Sequence, residues 1–95
     1  MRYYDRRGNA LPNINAVDWS DEARRVAFTT LPGGVEVSTV HLVIDHSFGD
    51  GPPLIFETMI FGGPLDQDTQ RYSTEAEAKA GHAEMVERAR QAVSA

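Results

Sequence analysis

Apolar residues change their spacing twice along this chain. From Val26 to Phe61 they form short β-branched and aromatic runs divided by glycine and proline, and from Thr74 onward they recur every three or four residues. The first pattern belongs to strands and the second to a helix with one face against a core. Strands are predicted over 26–31, 35–44 and 54–61. In the longest, Val35, Val37, Thr39, Val40, Val43 and Ile44 are β-branched. Its second half, 40–44, is apolar on both faces apart from His41, which reads as a central strand covered on both sides. Pro32-Gly33-Gly34 and Gly62-Gly63-Pro64 mark turns, because glycine reaches positive φ without steric cost. The long loop 45–53 joins the second and third strands of an antiparallel meander.

Upstream, 2–11 reads as a hairpin, with Tyr3 and Tyr4 in strand and Arg7-Gly8-Asn9 at the turn. Pro12 interrupts it. Asp18 or Ser20 then caps a helix of about two turns through Asp21, Glu22 and Ala23, and the acidic Asp21 and Glu22 suit a helix N-terminus. At the other end, Thr74-Glu75-Ala76-Glu77 matches a capping box. Ala78, His82, Met85, Val86, Ala89 and Val93 fall on one stripe, with Glu84 and Arg88 spaced for an ion pair. So alanine-rich a stripe brings the helix close to its sheet, with Gly81 at the nearest approach. The expected fold is a single α+β domain over 1–95: an antiparallel sheet of three to five strands packed against one long C-terminal helix, plus a short N-terminal helix.

Composition narrows the function classes. The chain has 95 residues, no cysteine and a formal net charge of −5. Without cysteine there is no disulfide framework, thiolate metal site or cysteine nucleophile. The acidic balance speaks against general nucleic-acid binding. No apolar run reaches the ~18 residues of a membrane span, and the polar, arginine-bearing stretch 1–10 does not read as a signal peptide. An intracellular protein is expected. A chain this short buries only roughly 60–65% of its unfolded surface, so a homo-oligomer is expected as a supplement to its core.

Candidate chemistry gathers around the long loop and the last two strands. His46 opens the loop beside Asp45, with Asp50 four residues on. A carboxylate next to an imidazole orients a general base or supplies metal ligands, but the spacing fits no established metal motif. Phe48 and Gly49 lie inside the loop, where an aromatic ring meets a ligand or plugs the core and backbone amides approach phosphate. Glu57 is a carboxylate in an apolar strand, either a pocket acid or the partner of Arg71. His41 reads as an interior residue, and His82 as a core histidine satisfied by a backbone carbonyl or as a pocket residue. Five arginines, Arg2, Arg6, Arg7, Arg24 and Arg25, fall in the first quarter of the chain, a set suited to phosphate or carboxylate. No serine carries an elbow motif.

Three stretches carry a resemblance: Ser38-Thr39-Val40 through Asp45-His46, then Phe48-Gly49 and Gly51-Pro52-Pro53-Leu54, then Phe56 to Gly63. Arg71-Tyr72-Ser73-Thr74 with Glu77-Ala78 and Gly81-His82 extends it. Together they resemble a family of small uncharacterised proteins of tailed bacteriophages and prophages, over roughly residues 35 to 90. His41 stands where that family usually has an aromatic residue, and Glu75 where it usually has tryptophan. The resemblance implies a phage accessory protein in the cytoplasm of an infected bacterium and brings no catalytic residues with it.

The leading expectation is stoichiometric binding without catalysis, cofactor or metal. The ligand would be a small phosphate-bearing molecule such as a nucleotide signal, sequestered to blunt host defence. His46, Phe48, Gly49, Glu57, Arg71, Tyr72 and His82 are its expected binding residues. The alternative is a protein-interaction module, either an inhibitor of a host protein or a minor virion component. A small hydrolase using His46, Asp45 and Glu57 ranks below both.

Overall fold

Alternating burial along two inner strands sets the architecture. The computed structural model describes residues 2–47 and 49–94. Strands β1 (Tyr3–Tyr4) and β2 (Ala10–Leu11) form the N-terminal hairpin, followed by a 3-10 turn at Ile14–Ala16 and a single helical turn, α1 (Asp21–Arg24). Strands β3 (Arg25–Thr30), β4 (Glu36–His41), β5 (Phe56–Phe61) and β6 (Thr69–Tyr72) build one antiparallel sheet in that order, and helix α2 (Glu75–Ser94) closes the chain. The result is the α+β arrangement read from the spacing, a four-stranded sheet and a two-stranded one packed with a long C-terminal helix.

Helix α2 packs on one face of the sheet. In β4 that face carries Val37, Thr39 and His41, and in β5 it carries Phe56, Thr58 and Ile60; all six are buried. The helix answers with Ala78, Gly81, His82, Met85 and Ala89. The capping box forms as expected: Glu77 N–H donates to Thr74 Oγ1 at 3.1 Å, and Thr74 N–H donates to Glu77 Oε1 at 3.1 Å. Register then separates two apolar clusters. Leu31, Val35, Val37, Ile60, Met85 and Ala89 form one, and Ile55, Phe56 and Ala78 the other, with Thr39 and Thr58 paired between them.

Several expectations are corrected. The N-terminal helix has one turn rather than two, because Arg25 already adopts extended backbone and leads into β3. Ser20 is its cap, accepting from Ala23 N–H, while Asp18 accepts from Ser20 N–H one step earlier. Strand β4 stops at His41 because Val43 takes φ 74°, and Ile44 bridges to Tyr3 instead of continuing the sheet. It is central in strand order but covered on one face, with Ser38 and Val40 half-buried on the other. Strand β5 starts at Phe56 rather than 54. Strand β6 is absent from the reading above, since Thr69, Gln70 and Arg71 are exposed on an edge and show no apolar alternation. Arg88 pairs with Asp68 at 3.3 Å, not with Glu84.

Candidate functional site

The residues expected to bind a ligand are spread over three places. His46 and Gly49 are exposed in the loop between β4 and β5, and Phe48 lies outside the described residues. Glu57 and Arg71 stand opposite each other on the sheet face away from α2 and pair at 3.0 Å, the structural pairing weighed above. Tyr72 and His82 belong to the other face. The Tyr72 ring lies against Gly81, and its hydroxyl is buried without a partner.

Asp45 does not orient His46. Its Oδ1 accepts from Ser47 N–H and Leu54 N–H, both at 2.8 Å, and its Oδ2 accepts from the Ser47 hydroxyl at 3.0 Å. These bonds hold its carboxyl below the usual range and close the base of the loop. With Asp45 engaged there and Glu57 on Arg71, the trio of the hydrolase reading is not assembled. Among the described residues no group of three or more His, Asp or Glu side chains is placed to hold a metal ion.

His82 also departs from its expected partner. Its Nε2 lies 2.8 Å from Thr29 Oγ1 and its Nδ1 2.7 Å from Thr39 Oγ1, and Thr39 Oγ1 is 2.5 Å from Thr58 Oγ1. No backbone carbonyl takes part. Burial holds the imidazole below its ordinary pKa, so the ring is neutral, with one nitrogen donating and one accepting.

A cleft opens where β4 ends. Its volume is about 360 Å³. Tyr4 N–H donates to Val43 O at 2.8 Å, which folds the N-terminal hairpin back over the end of β4. Leu11, Ala16, Val17 and Ala23 give apolar walls, and His41 and Val43 come from the sheet side. Three of its four charged residues are engaged, Asp18 by accepting from Ser20 N–H. Asp5 accepts from Arg7 N–H and Asn9 N–H and is held low chiefly by the Asn9 bond. Arg6 binds Glu75 at 2.7 Å and also reaches the carbonyls of Ala23 and Arg25.

What is left unengaged is Arg7 and one nitrogen of His41. Within the described residues the Arg7 guanidinium makes no hydrogen bond or ion pair, and it lines the cleft. His41 is 4% exposed, and its Nε2 has no partner. Burial first, then the charges of Arg6 and Arg24, keep its pKa low, so this imidazole is neutral. A neutral imidazole donates through one ring nitrogen and accepts through the other. Val43 adds a strained position, since φ 74° for a buried β-branched residue costs on the order of 1–3 kcal/mol and such strain gathers at functional sites.

From the sequence, Arg6 and Arg7 were visible as members of the arginine cluster and His41 as an interior residue. Their convergence depends on the hairpin folding back, which no local pattern encodes. No protein-family model, curated protein or solved structure matches the chain.

Proposed function

We propose that the protein acts by stoichiometric binding of a compact anionic ligand in the cleft between the N-terminal hairpin and the end of β4. The observation that carries this reading is a cleft of about 360 Å³ with apolar walls, the unengaged guanidinium of Arg7 and the buried, unpartnered imidazole of His41. Small-molecule pockets are mostly apolar, hold a few convergent polar groups and span roughly 300–1,000 Å³. This one lies near the lower end, the size for one nucleotide rather than a dinucleotide. The Arg7 guanidinium donates, which suits a phosphate or carboxylate. In the cytoplasm of an infected bacterium, the setting implied by the phage resemblance, such a protein would withdraw a nucleotide signal without turning it over.

The test is native mass spectrometry with inorganic phosphate and with linear and cyclic mononucleotides. One ligand per chain is expected for at least one of them. Arg7→Glu is expected to weaken that binding at least ~10-fold through charge reversal, while Arg71→Ala, on the far face, leaves it unchanged. A bare mass with every compound, or full binding by Arg7→Glu, rejects the reading.

One observation favours a protein partner instead. Ile14 and Trp19 are 50% and 42% exposed on the segment that flanks the cleft. Recovery of one stoichiometric host protein in a pulldown, lost in Trp19→Ser, would support that alternative.

A further inference from the structure

The sheet face away from α2 is a three-row grid. Register places Thr30, Glu36 and Phe61 in one outer row. Phe28, Ser38, Met59 and Thr69 make the middle row. Arg25, Val40, Glu57 and Arg71 make the other outer row. Phe28 is 42% exposed and Phe61 44%, and the middle row carries no charge. The sheet and α2 already make two packed layers, so Phe28 and Phe61 are apolar surface that the fold itself leaves open.

We infer that this face packs against the same face of a second copy of the chain. Charge decides both the partner and the orientation. Within the described residues neither Arg25 nor Glu36 is in an ion pair. They lie in opposite outer rows, two rows apart, so they do not meet within one chain. A two-fold axis running across the strands maps the middle row onto itself and exchanges the outer rows. Arg25 of each copy then faces the Thr30–Glu36 side of the other, and Phe28 and Met59 meet their own counterparts. The other in-plane axis, along the strands, sets β3 over β6 and stacks Arg25 on Arg71, like charge on like charge. Only the first brings unlike charges near each other, while it also sets Glu36 over Val40 and Glu57 over Phe61. In the monomer the Arg25 guanidinium sits 5.0 Å from the Phe28 ring centroid, a contact it exchanges for Glu36 of the second copy.

Size sets the strength. Strands ~4.8 Å apart with ~3.3 Å per residue make a face roughly 19 by 20 Å. Two such faces have a combined area of about 760 Å², below the ~1,200 Å² of stable interfaces and in the weak, transient class. The dimer is therefore expected to dissociate at micromolar concentration.

Sedimentation velocity from about 5 to about 300 µM tests this. The sedimentation coefficient is expected to rise with concentration toward the dimer value. Met59→Glu is expected to stay monomeric throughout, and Phe28→Ser does the same test should Met59→Glu fail to fold by circular dichroism. Arg25→Glu and Glu36→Arg are each expected to weaken the dimer about 10-fold or more, and the double swap to bring it back to within about threefold of wild type. A monomeric wild type across the range, a dimer that survives both apolar substitutions, or a double swap no better than the single ones overturns the inference.

Discussion

Replacing Gly81 by alanine is expected to lower stability by about 2 kcal/mol, although the position is helical and alanine is the better helix former. In an open helix interior the same change would raise stability by about 1 kcal/mol. The sign reverses because the Tyr72 ring lies where the new methyl would stand, against its Cε1, Cζ and Oη atoms. Tyr72 ends β6 opposite Phe56, which is fully buried, so its backbone is held by the sheet. The ring yields either by swinging out of its place against Ile55, Phe56 and Ala78 or by letting α2 lift, and either way buried contacts loosen. Urea denaturation of three variants separates this from a general loss of packing. Gly81→Ala alone is expected to shift the midpoint down. Tyr72→Phe alone is expected to be neutral or stabilising, since it removes a buried hydroxyl without a partner. In a Tyr72→Leu background, Gly81→Ala is expected to cost much less than in the wild type. A stabilising Gly81→Ala in the wild-type background would show that the helix does not approach the sheet there.

The close approach was legible because it is encoded locally. An alanine-rich stripe with one glycine leaves little room for anything but backbone against side chain. The capping box at Thr74 and the glycine turn before Val35 were legible for the same reason. The end of β4 was not. Residues 40–44 carry strand formers throughout, yet Val43 turns out at φ 74° because the N-terminal hairpin takes its carbonyl through Tyr4 N–H. A partner some 40 residues away in sequence overrides local preference. The same long-range contact builds the cleft, so the cleft was as hidden as the strand end. Edge strand β6 went unread because its exposed side chains report nothing about a core. The candidate residues near the loop were chosen for their chemistry, and strand alternation then sent Glu57 to one face and Thr58 to the other.

His82 carries the second large effect, and its two bonds explain why a histidine sits on an otherwise small and apolar stripe. Methyl groups on alanine pack against a sheet with little preference for one registration along it. A ring that reaches Thr29 on β3 and Thr39 on β4, with Thr39 passing the bond to Thr58 on β5, fixes the helix against three strands at once. His82→Ala is expected to cost about 3 kcal/mol, the sum of a cavity and of hydroxyls left without a partner. Replacing the three buried members of the group with apolar residues, His82→Leu with Thr39→Val and Thr58→Val, is expected to recover most of that loss, because only the half-buried Thr29 hydroxyl then loses its partner. Acid supplies an independent check. Burial lowers the pKa of His82 in the folded chain below its ordinary 6.5, and that of His41 likewise. The unfolded chain therefore binds more protons, and stability is full above about pH 7 and falls as pH drops below 6.5 toward the folded-state pKa values. The lowered carboxyls of Asp5, Asp45 and Glu75 act in the same direction, but in a lower window, below their ordinary 3.8 and 4.5. Urea midpoints measured from pH 8 to pH 5 are expected to fall less steeply in the triple apolar variant than in the wild type. Equal slopes in the two proteins would mean that His82 is not held neutral in the core, and the network would lose its physical basis.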